Sequence, residues 1–367
     1  MCAEPASVNV EQRLTLLRQA ADAVAAVEAS CLGMSGTSPG EYLLRDRAAR
    51  RVDSDVLGLP VEWSEPGSVA PIAVVKLPTA ASEIRLGKYS TLARLRVRAF
   101  YHGPDGGLAL KVVNAPDDRR LKWERAARRR LRRTLRRFAP QLVDAGENVG
   151  VAWMLEQVLR GSHPLTVRAQ DEAAANLASR LVRLHRTDRE LVPVTSLLGA
   201  DAVARLRHNA GSSQTQGVAA DVAMRAANAA ESLVSRHGDS QVQIGWSHGD
   251  VGFGNVVVLG VDARLVDWEQ IGRRALGFDL VKLLSNSAKP DNHLDRFTEL
   301  TSSDRRFRRR VLPFDAQVAV AGLLMLSRAT ETLARANEVG RGTLALNTVT
   351  QRSTFVDLLI RRAGLAG

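Results

Sequence analysis

Apolar positions recur along this chain with two periods, and the switches between them outline its elements. From Val10 to Leu32 they fall at helical spacing among many alanines, which predicts an amphipathic helix. The stretch from Gly33 to Pro78 is interrupted by Gly and Pro and reads as irregular with short strands, Ala70 to Leu77 being one candidate. Ser82 to Tyr101 is strand-like, and a hairpin signal follows at His102 to Gly107. Leu108 to Val113 reads as a buried strand with one charge, Lys111, inside it. From Arg119 the period turns helical, with an apolar stripe at Leu121, Ala127, Leu131, Leu135 and Phe138. Val149 to Leu155 is an apolar strand, and Asn176 to His185 continues a helix rich in alanine and leucine. Two β-branched runs, Val256 to Leu259 and Arg264 to Val266, flank a Gly260-Val261-Asp262 turn signal. No internal repeat is visible.

Composition narrows the class without changing this outline. At 367 residues the chain is ample for two lobes with their own cores. An apolar fraction of 45% argues against overall disorder. The two cysteines, Cys2 and Cys31, imply neither a disulfide framework nor a Cys-rich metal site, and fit a reducing compartment. The start, Met-Cys-Ala-Glu-Pro, lacks the basic and apolar regions of a signal peptide. The apolar run Val318 to Leu326 falls short of the roughly 20 residues of a membrane span. The expectation is a soluble cytoplasmic protein with no membrane partner. The net charge is +12, and only six of the 51 basic residues are lysine. Residues 117–140 alone carry eleven basic and three acidic side chains. Such a run can be a nucleic-acid footprint; a solvated helix face is the preferred reading, so nucleic acid is disfavoured as a partner.

Candidate chemistry lies in two places. Burying the Lys111 ammonium among aliphatics is expensive unless an anion meets it. Glu124 falls on the inward stripe of the following helix and supplies one, giving a buried ion pair. The alternative is a surface pair of Glu124 with Arg128. Further on, Gly245 to Glu269 reads GWSHGDVGFGNVVVLGVDARLVDWE. If its turn centres on Val261, Leu259 pairs with Ala263 and the register carries Asn255 opposite Asp267. A cross-strand pair has Cβ atoms roughly 4.5–5.5 Å apart, close enough to share one divalent ion. Asp250 lies upstream in a loop punctuated by Gly249, Gly252 and Gly254. These oxygen donors suit Mg²⁺, which takes few protein ligands and shares phosphates. In isolation Asp250 and Asn255 would read as turn residues. Asp267 ends an apolar strand, where an unpaired carboxylate is costly.

His248-Gly249-Asp250 followed by Asn255, then Asp267-Trp268-Glu269, then Gly277-Phe278-Asp279-Leu280, together resemble the aminoglycoside phosphotransferase and choline kinase family. The resemblance covers roughly residues 82 to 290. It implies an α+β, bilobal, protein-kinase-like fold. An N-terminal extension (1–80) would precede a nucleotide-binding N-lobe of antiparallel sheet plus helix (81–157) and a larger, mostly helical C-lobe (158–367). It further implies that Asp250 is the catalytic residue and that Asn255 and Asp267 hold the metal. Lys111, fixed by Glu124, would grip the α- and β-phosphates. The main chain of Glu156 to Val158 would meet the adenine, while His248 and Asp279 support the loop structurally. His185, which closes the 176–185 helix, reads as structural. The nucleotide-covering loop is assigned to Gly87-Lys88-Tyr89-Ser90-Thr91, with Gly87 and Ser90 approaching phosphate; the chain has no Gly-x-Gly-x-x-Gly there.

The implied activity is transfer of a γ-phosphate from ATP or GTP, with Mg²⁺, onto a hydroxyl of a small molecule. Residues 160–255 carry ten basic and nine acidic side chains, and 256–367 seventeen and twelve. That balance argues against a polycationic acceptor and for a neutral or anionic antibiotic, nucleoside or sugar. An antibiotic-inactivating kinase is favoured only by association, since arginine-heavy, lysine-poor usage suggests a GC-rich genome. Two alternatives stand beside it. One is a protein kinase-like enzyme, against which speak Asp-Trp-Glu and the absence of Ala-Pro-Glu. The other is a pseudokinase or RNA-binding module using the arginines of 119–137.

Overall fold

The computed structural model describes residues 10–32, 40–45, 61–63, 72–77, 79–86, 95–103, 106–114, 119–148, 151–211, 220–287, 289–302, 310–338 and 342–365. The chain divides into two compact units at 130/131, 139/140 and 160/161. The first holds helix α1 (Val10–Val27), which ends in a π-helical turn, Glu28–Leu32, and helix α2 (Arg119–Arg130). Its strands are β1 (Gly40–Arg45), β2 (Val61–Trp63), β3 (Ile72–Leu77), β4 (Glu83–Leu86), β5 (Leu95–Gly103), β6 (Gly106–Asn114), β7 (Leu142–Asn148) and β8 (Val151–Gln157). They form one sheet in the order β2-β3-β1-β4-β5-β6-β8-β7, antiparallel except where β1 meets β4. The β5–β6 hairpin closes with Gly103 opposite Gly106, where the Gly-Pro-Asp-Gly signal lies.

Alternation along β6 sends its side chains to opposite faces, and both faces are covered. Leu110 and Val112 enter a core with Leu17 and Val24 of α1, Ile84, Leu95 and Trp153. Val113 packs on the other face with Leu121 of α2 and Met154. The early helix is therefore part of this core. Buried Glu28 anchors its end, accepting hydrogen bonds from the Tyr101 hydroxyl (2.8 Å) and the Ala80 amide (3.0 Å). Burial, and then the Glu28 charge, push the Tyr101 phenol well above its ordinary range.

The structure adds β7, which the sequence pattern did not predict. Its LVDAGEN sequence carries few β-formers, because as an edge strand it pairs only with β8 and leaves Val143, Asp144 and Glu147 exposed. The strand read from Val149 starts at Val151, and residues 149 and 150 lie outside the described set.

The second unit is mostly helical: α3 (Arg132–Leu135), α4 (Val167–Arg186), α5 (Val194–Leu197), α6 (Ala200–Gly211), α7 (Ala220–His237), α8 (Phe278–Leu284), α9 (Pro290–Ser302), α10 (Phe314–Leu326), α11 (Ala329–Glu338) and α12 (Gly342–Arg362). Helix α10 is apolar all round and buried along most of its length, the mark of a central helix. Among the described residues no helix is long and apolar enough to cross a membrane. Two small sheets complete the unit. One is three-stranded and antiparallel, with β10 (Gln241–Ser247) between β9 (Glu190–Pro193) and β13 (Gly272–Ala275). The other is the hairpin of β11 (Val256–Leu259) and β12 (Asp262–Leu265).

Candidate active site

Strand β10 is held on both edges, so its exit is a fixed point, and the chain there turns through His248, Gly249 and Asp250. Gly249 adopts φ +85°, and a Cβ there would stand 2.2 Å from the Gln270 carbonyl oxygen. Only glycine fits that turn. Asp279, at the start of α8, clamps it by accepting from the Ser247 hydroxyl (2.8 Å), the His248 amide (2.8 Å) and the Gly249 amide (2.9 Å). Gly277 makes that approach possible, since its φ of +91° brings α8 in against Val318, where a Cβ would clash at 2.8 Å.

His248 is fully buried against Trp268, with ring centroids 4.4 Å apart. Its Nε2 donates to the Val266 carbonyl (3.0 Å) and its Nδ1 accepts the Asp250 amide (3.2 Å), a pattern that defines the neutral tautomer. Burial lowers its pKa, which agrees with that tautomer. Both ring nitrogens are thus occupied in holding the loop. Asp250 itself is partly open, its side chain 43% exposed, with Oδ1 2.7 Å from the Lys282 ammonium. Lys282 also donates to the Gly249 carbonyl (2.7 Å). The sequence pattern did not single out Lys282. Its signal is the i, i+3 spacing from Asp279, which puts both side chains on the face of α8 turned to this loop.

The Asn255–Asp267 register differs from expectation by one residue. Leu259 pairs with Asp262 and Val256 with Leu265, and the Val266 amide donates to the Asn255 carbonyl (2.9 Å). Asn255 therefore faces Val266, not Asp267. The reason is the turn: Gly260, at φ +61°, takes the first of two central positions, the pattern of a type II′ hairpin, where a three-residue turn centred on Val261 was expected. Asp267 then leaves the strand in the left-handed region, φ +65°, uncommon for a residue with a side chain. Asn255 Nδ2 donates to the Asp250 carbonyl (2.8 Å), so its amide ties the two positions together and presents Oδ1 as its acceptor end. Among the described residues no group of three or more His, Cys, Asp and Glu is arranged to hold a metal. One carboxylate and one amide make a sparse hard-oxygen set, which fits a cation that completes its shell with phosphates.

The first unit carries the other candidate residues. Lys111 Nζ lies 3.1 Å from Glu124 Oε1 and 3.7 Å from Glu156 Oε1, and all three side chains are buried. Arg128 completes the set, 2.5 Å from Glu156 Oε2 and 3.6 Å from Glu124, and donates to the Pro140 carbonyl. Two cations thus meet two carboxylates in the interior. Burial raises the Glu124 pKa against the pull of Lys111. At Glu156 burial also acts upward, but Lys111 and Arg128 together outweigh it and hold the carboxyl low. Arg128 is the exception in the arginine-rich segment: Arg119, Arg120, Arg129, Arg130, Arg132, Arg133, Arg136 and Arg137 are all exposed. Glu156 and Val158 were expected to offer main chain to a nucleotide base. The Glu156 side chain belongs to this ion network, and the Val158 amide is donated to the Gly107 carbonyl (2.8 Å). Gly87 and Ser90 lie outside the described residues.

His185 is buried on α4 with no hydrogen-bond partner at Nε2, and burial lowers its pKa to about 4.

Residues 94–310 match the model of the Phosphotransferase enzyme family (APH). No curated protein matches at a significant level. Similar solved structures include a choline/ethanolamine kinase family protein from Mesorhizobium loti (18% identity, 77% of this chain and 92% of that one, TM-score 0.47). A macrolide 2′-phosphotransferase, MphH from Brachybacterium faecium, is similar at 15% identity, with 73% and 91% covered and a TM-score of 0.47. The choline kinase LicA from Streptococcus pneumoniae is similar at 12% identity, with 74% and 94% covered and a TM-score of 0.47.

Proposed function

The chain belongs to the phosphotransferase enzyme family and is a small-molecule kinase, and from that premise we propose that Asp250 is the residue at which its acceptor hydroxyl reacts. The donor is a nucleoside triphosphate, whose γ-phosphoryl group passes to that hydroxyl. One observation carries the reading: a partly open carboxylate on a loop whose amides at residues 248–250 are fixed by Asp279 and His248 and whose Gly249 carbonyl is fixed by Lys282. Phosphoryl transfer asks little covalent work of a protein, and its rate comes from positioning and charge.

Lys282 fixes Oδ1 of Asp250, which leaves Oδ2 to orient the acceptor hydroxyl and take its proton. His248 holds the loop and moves no proton. Lys111 grips the donor phosphates, and the Glu124–Glu156–Arg128 network fixes the lysine. Mg²⁺, when bound, supplies charge neutralisation on the phosphates, with Asn255 Oδ1 and the Asp267 carboxylate as its protein ligands. The left-handed backbone at Asp267 and the tether from Asn255 to Asp250 support those assignments. The acceptor is a neutral or anionic hydroxylated compound, such as an antibiotic, nucleoside or sugar, because residues 256–367 carry seventeen basic and twelve acidic side chains.

Titration calorimetry with ATP, with and without Mg²⁺, tests the metal assignment. Asp267→Ala should weaken the Mg²⁺-dependent affinity by about tenfold or more, the loss of one charge-assisted ligand. An unchanged Mg²⁺ titration would remove Asp267 from the site.

A further inference from the structure

Lys282 is not the only cation turned toward Asp250. The Arg274 guanidinium stacks on the Phe278 ring with Cζ 4.8 Å from its centroid, and Lys282 Nζ stands 5.8 Å from the same centroid. One aromatic ring thus holds two cations beside the loop. Arg274 lies over Gly249, since a Cβ at that glycine would stand 2.6 Å from its Nη1. Among the described residues that buried Nη1 has no hydrogen-bond partner. Arg352, on α12, lies close enough to Lys282 and Asp250 for its charge to act on both, and among the described residues its buried Nε also has no hydrogen-bond partner. A fourth cation, Arg328, acts on Arg274.

Among the described residues the acids whose charge acts on this group are Asp250 and Asp279. Asp250 gives one oxygen to Lys282, and Asp279 is committed to Ser247, His248 and Gly249. Burial lowers the pKa of Arg274, Lys282 and Arg352 alike, so each is held in its place at a cost that the local acids do not offset. Buried donors without acceptors next to a reactive carboxylate mark where an anion binds. A cationic acceptor would meet repulsion there.

We infer that the acceptor carries an anionic group, a carboxylate or a phosphate, near its reactive hydroxyl, and that Arg274 and Arg352 bind that group. The inference rests on the phosphotransferase reading and sharpens it. It turns a neutral or anionic acceptor into an anionic one, and it makes these two arginines the residues that determine specificity.

The probe is inorganic phosphate, titrated by calorimetry at constant ionic strength into the full chain saturated with Mg²⁺ and AMP-PNP, so that the donor site is filled. Saturable phosphate binding is expected. Arg352→Gln and Arg274→Gln should each weaken it roughly 10- to 100-fold, as loss of a charge-assisted hydrogen bond implies. Arg352→Lys, which retains charge, should recover part of the affinity, and an unchanged thermal midpoint separates lost binding from lost folding. Absence of phosphate binding to the wild type, or binding indifferent to both glutamine variants, overturns the inference. So does loss of AMP-PNP affinity in those variants, since it would assign the arginines to the donor. If AMP-PNP itself does not bind the wild type, the phosphotransferase reading fails instead, and the phosphate titration of the nucleotide-free chain still decides whether the anion site exists.

Discussion

At the residue scale, two buried histidines, His185 on α4 and His248 at the exit of β10, show how burial becomes a pH liability. His248 uses both ring nitrogens, whereas His185 leaves Nε2 without a partner. Burial depresses the His185 pKa from 6.5 to about 4. Above pH 6.5 the ring is neutral in both folded and unfolded chains. Between 6.5 and about 4 the unfolded chain takes up a proton that the native protein refuses, so stability falls as pH is lowered. The slope is on the order of 1 kcal/mol per pH unit in that window. Urea unfolding at pH 7 and pH 5 should show this loss, and His185→Asn should reduce it. His248, depressed in the same direction, would keep part of the slope in the variant. An identical loss in His185→Asn and wild type would mean that His185 does not titrate as its burial requires.

At the scale of elements, the β10–loop–α8 unit depends on backbone that only glycine allows. Gly249→Ala should destabilise by at least about 1–2 kcal/mol from the left-handed conformation alone. The contact with the Gln270 carbonyl adds to this, and denaturant midpoints of folded variants would measure it. A neutral substitution would mean that the loop relaxes without cost. Of this unit the loop was legible in the sequence, through its glycines and through the resemblance that marked Asp279; strand β10 and helix α8 were not read from the pattern. Nor was the hairpin register legible. A glycine turn admits two or three residues, and nothing in Leu259 to Ala263 distinguishes them before φ is known. Lys282 is tied to the loop only through its i, i+3 spacing from Asp279, and Arg274, on β13, shares no local spacing with Asp250 at all. Arg128 was hidden by its company, one buried arginine among many exposed ones. Its i, i+4 relation to Glu124 suggests a surface pair, and the structure places that pair in the interior.

At the scale of the whole molecule, each of the two units concentrates charge where its core would otherwise exclude it. The first buries Lys111 and Arg128 with Glu124 and Glu156; the second crowds Lys282, Arg274 and Arg352 around Asp250. Breaking a buried pair costs several kcal/mol, so such groups persist where function requires them or where they are fully paired. The first cluster is balanced and the second is not, which fits a positioning part for one and a binding part for the other. The central claim is that Asp250 acts on the acceptor hydroxyl in a phosphoryl transfer. The most direct test incubates wild type and Asp250→Asn with Mg²⁺-ATP and a panel of hydroxylated carboxylates, sugar phosphates, nucleosides and antibiotics, with mass detection of the phosphorylated product. A phosphorylated product from the wild type is predicted, with turnover reduced roughly 10²- to 10⁴-fold in Asp250→Asn at unchanged ATP affinity. Equal turnover in the two proteins, on any acceptor that is phosphorylated, would contradict it.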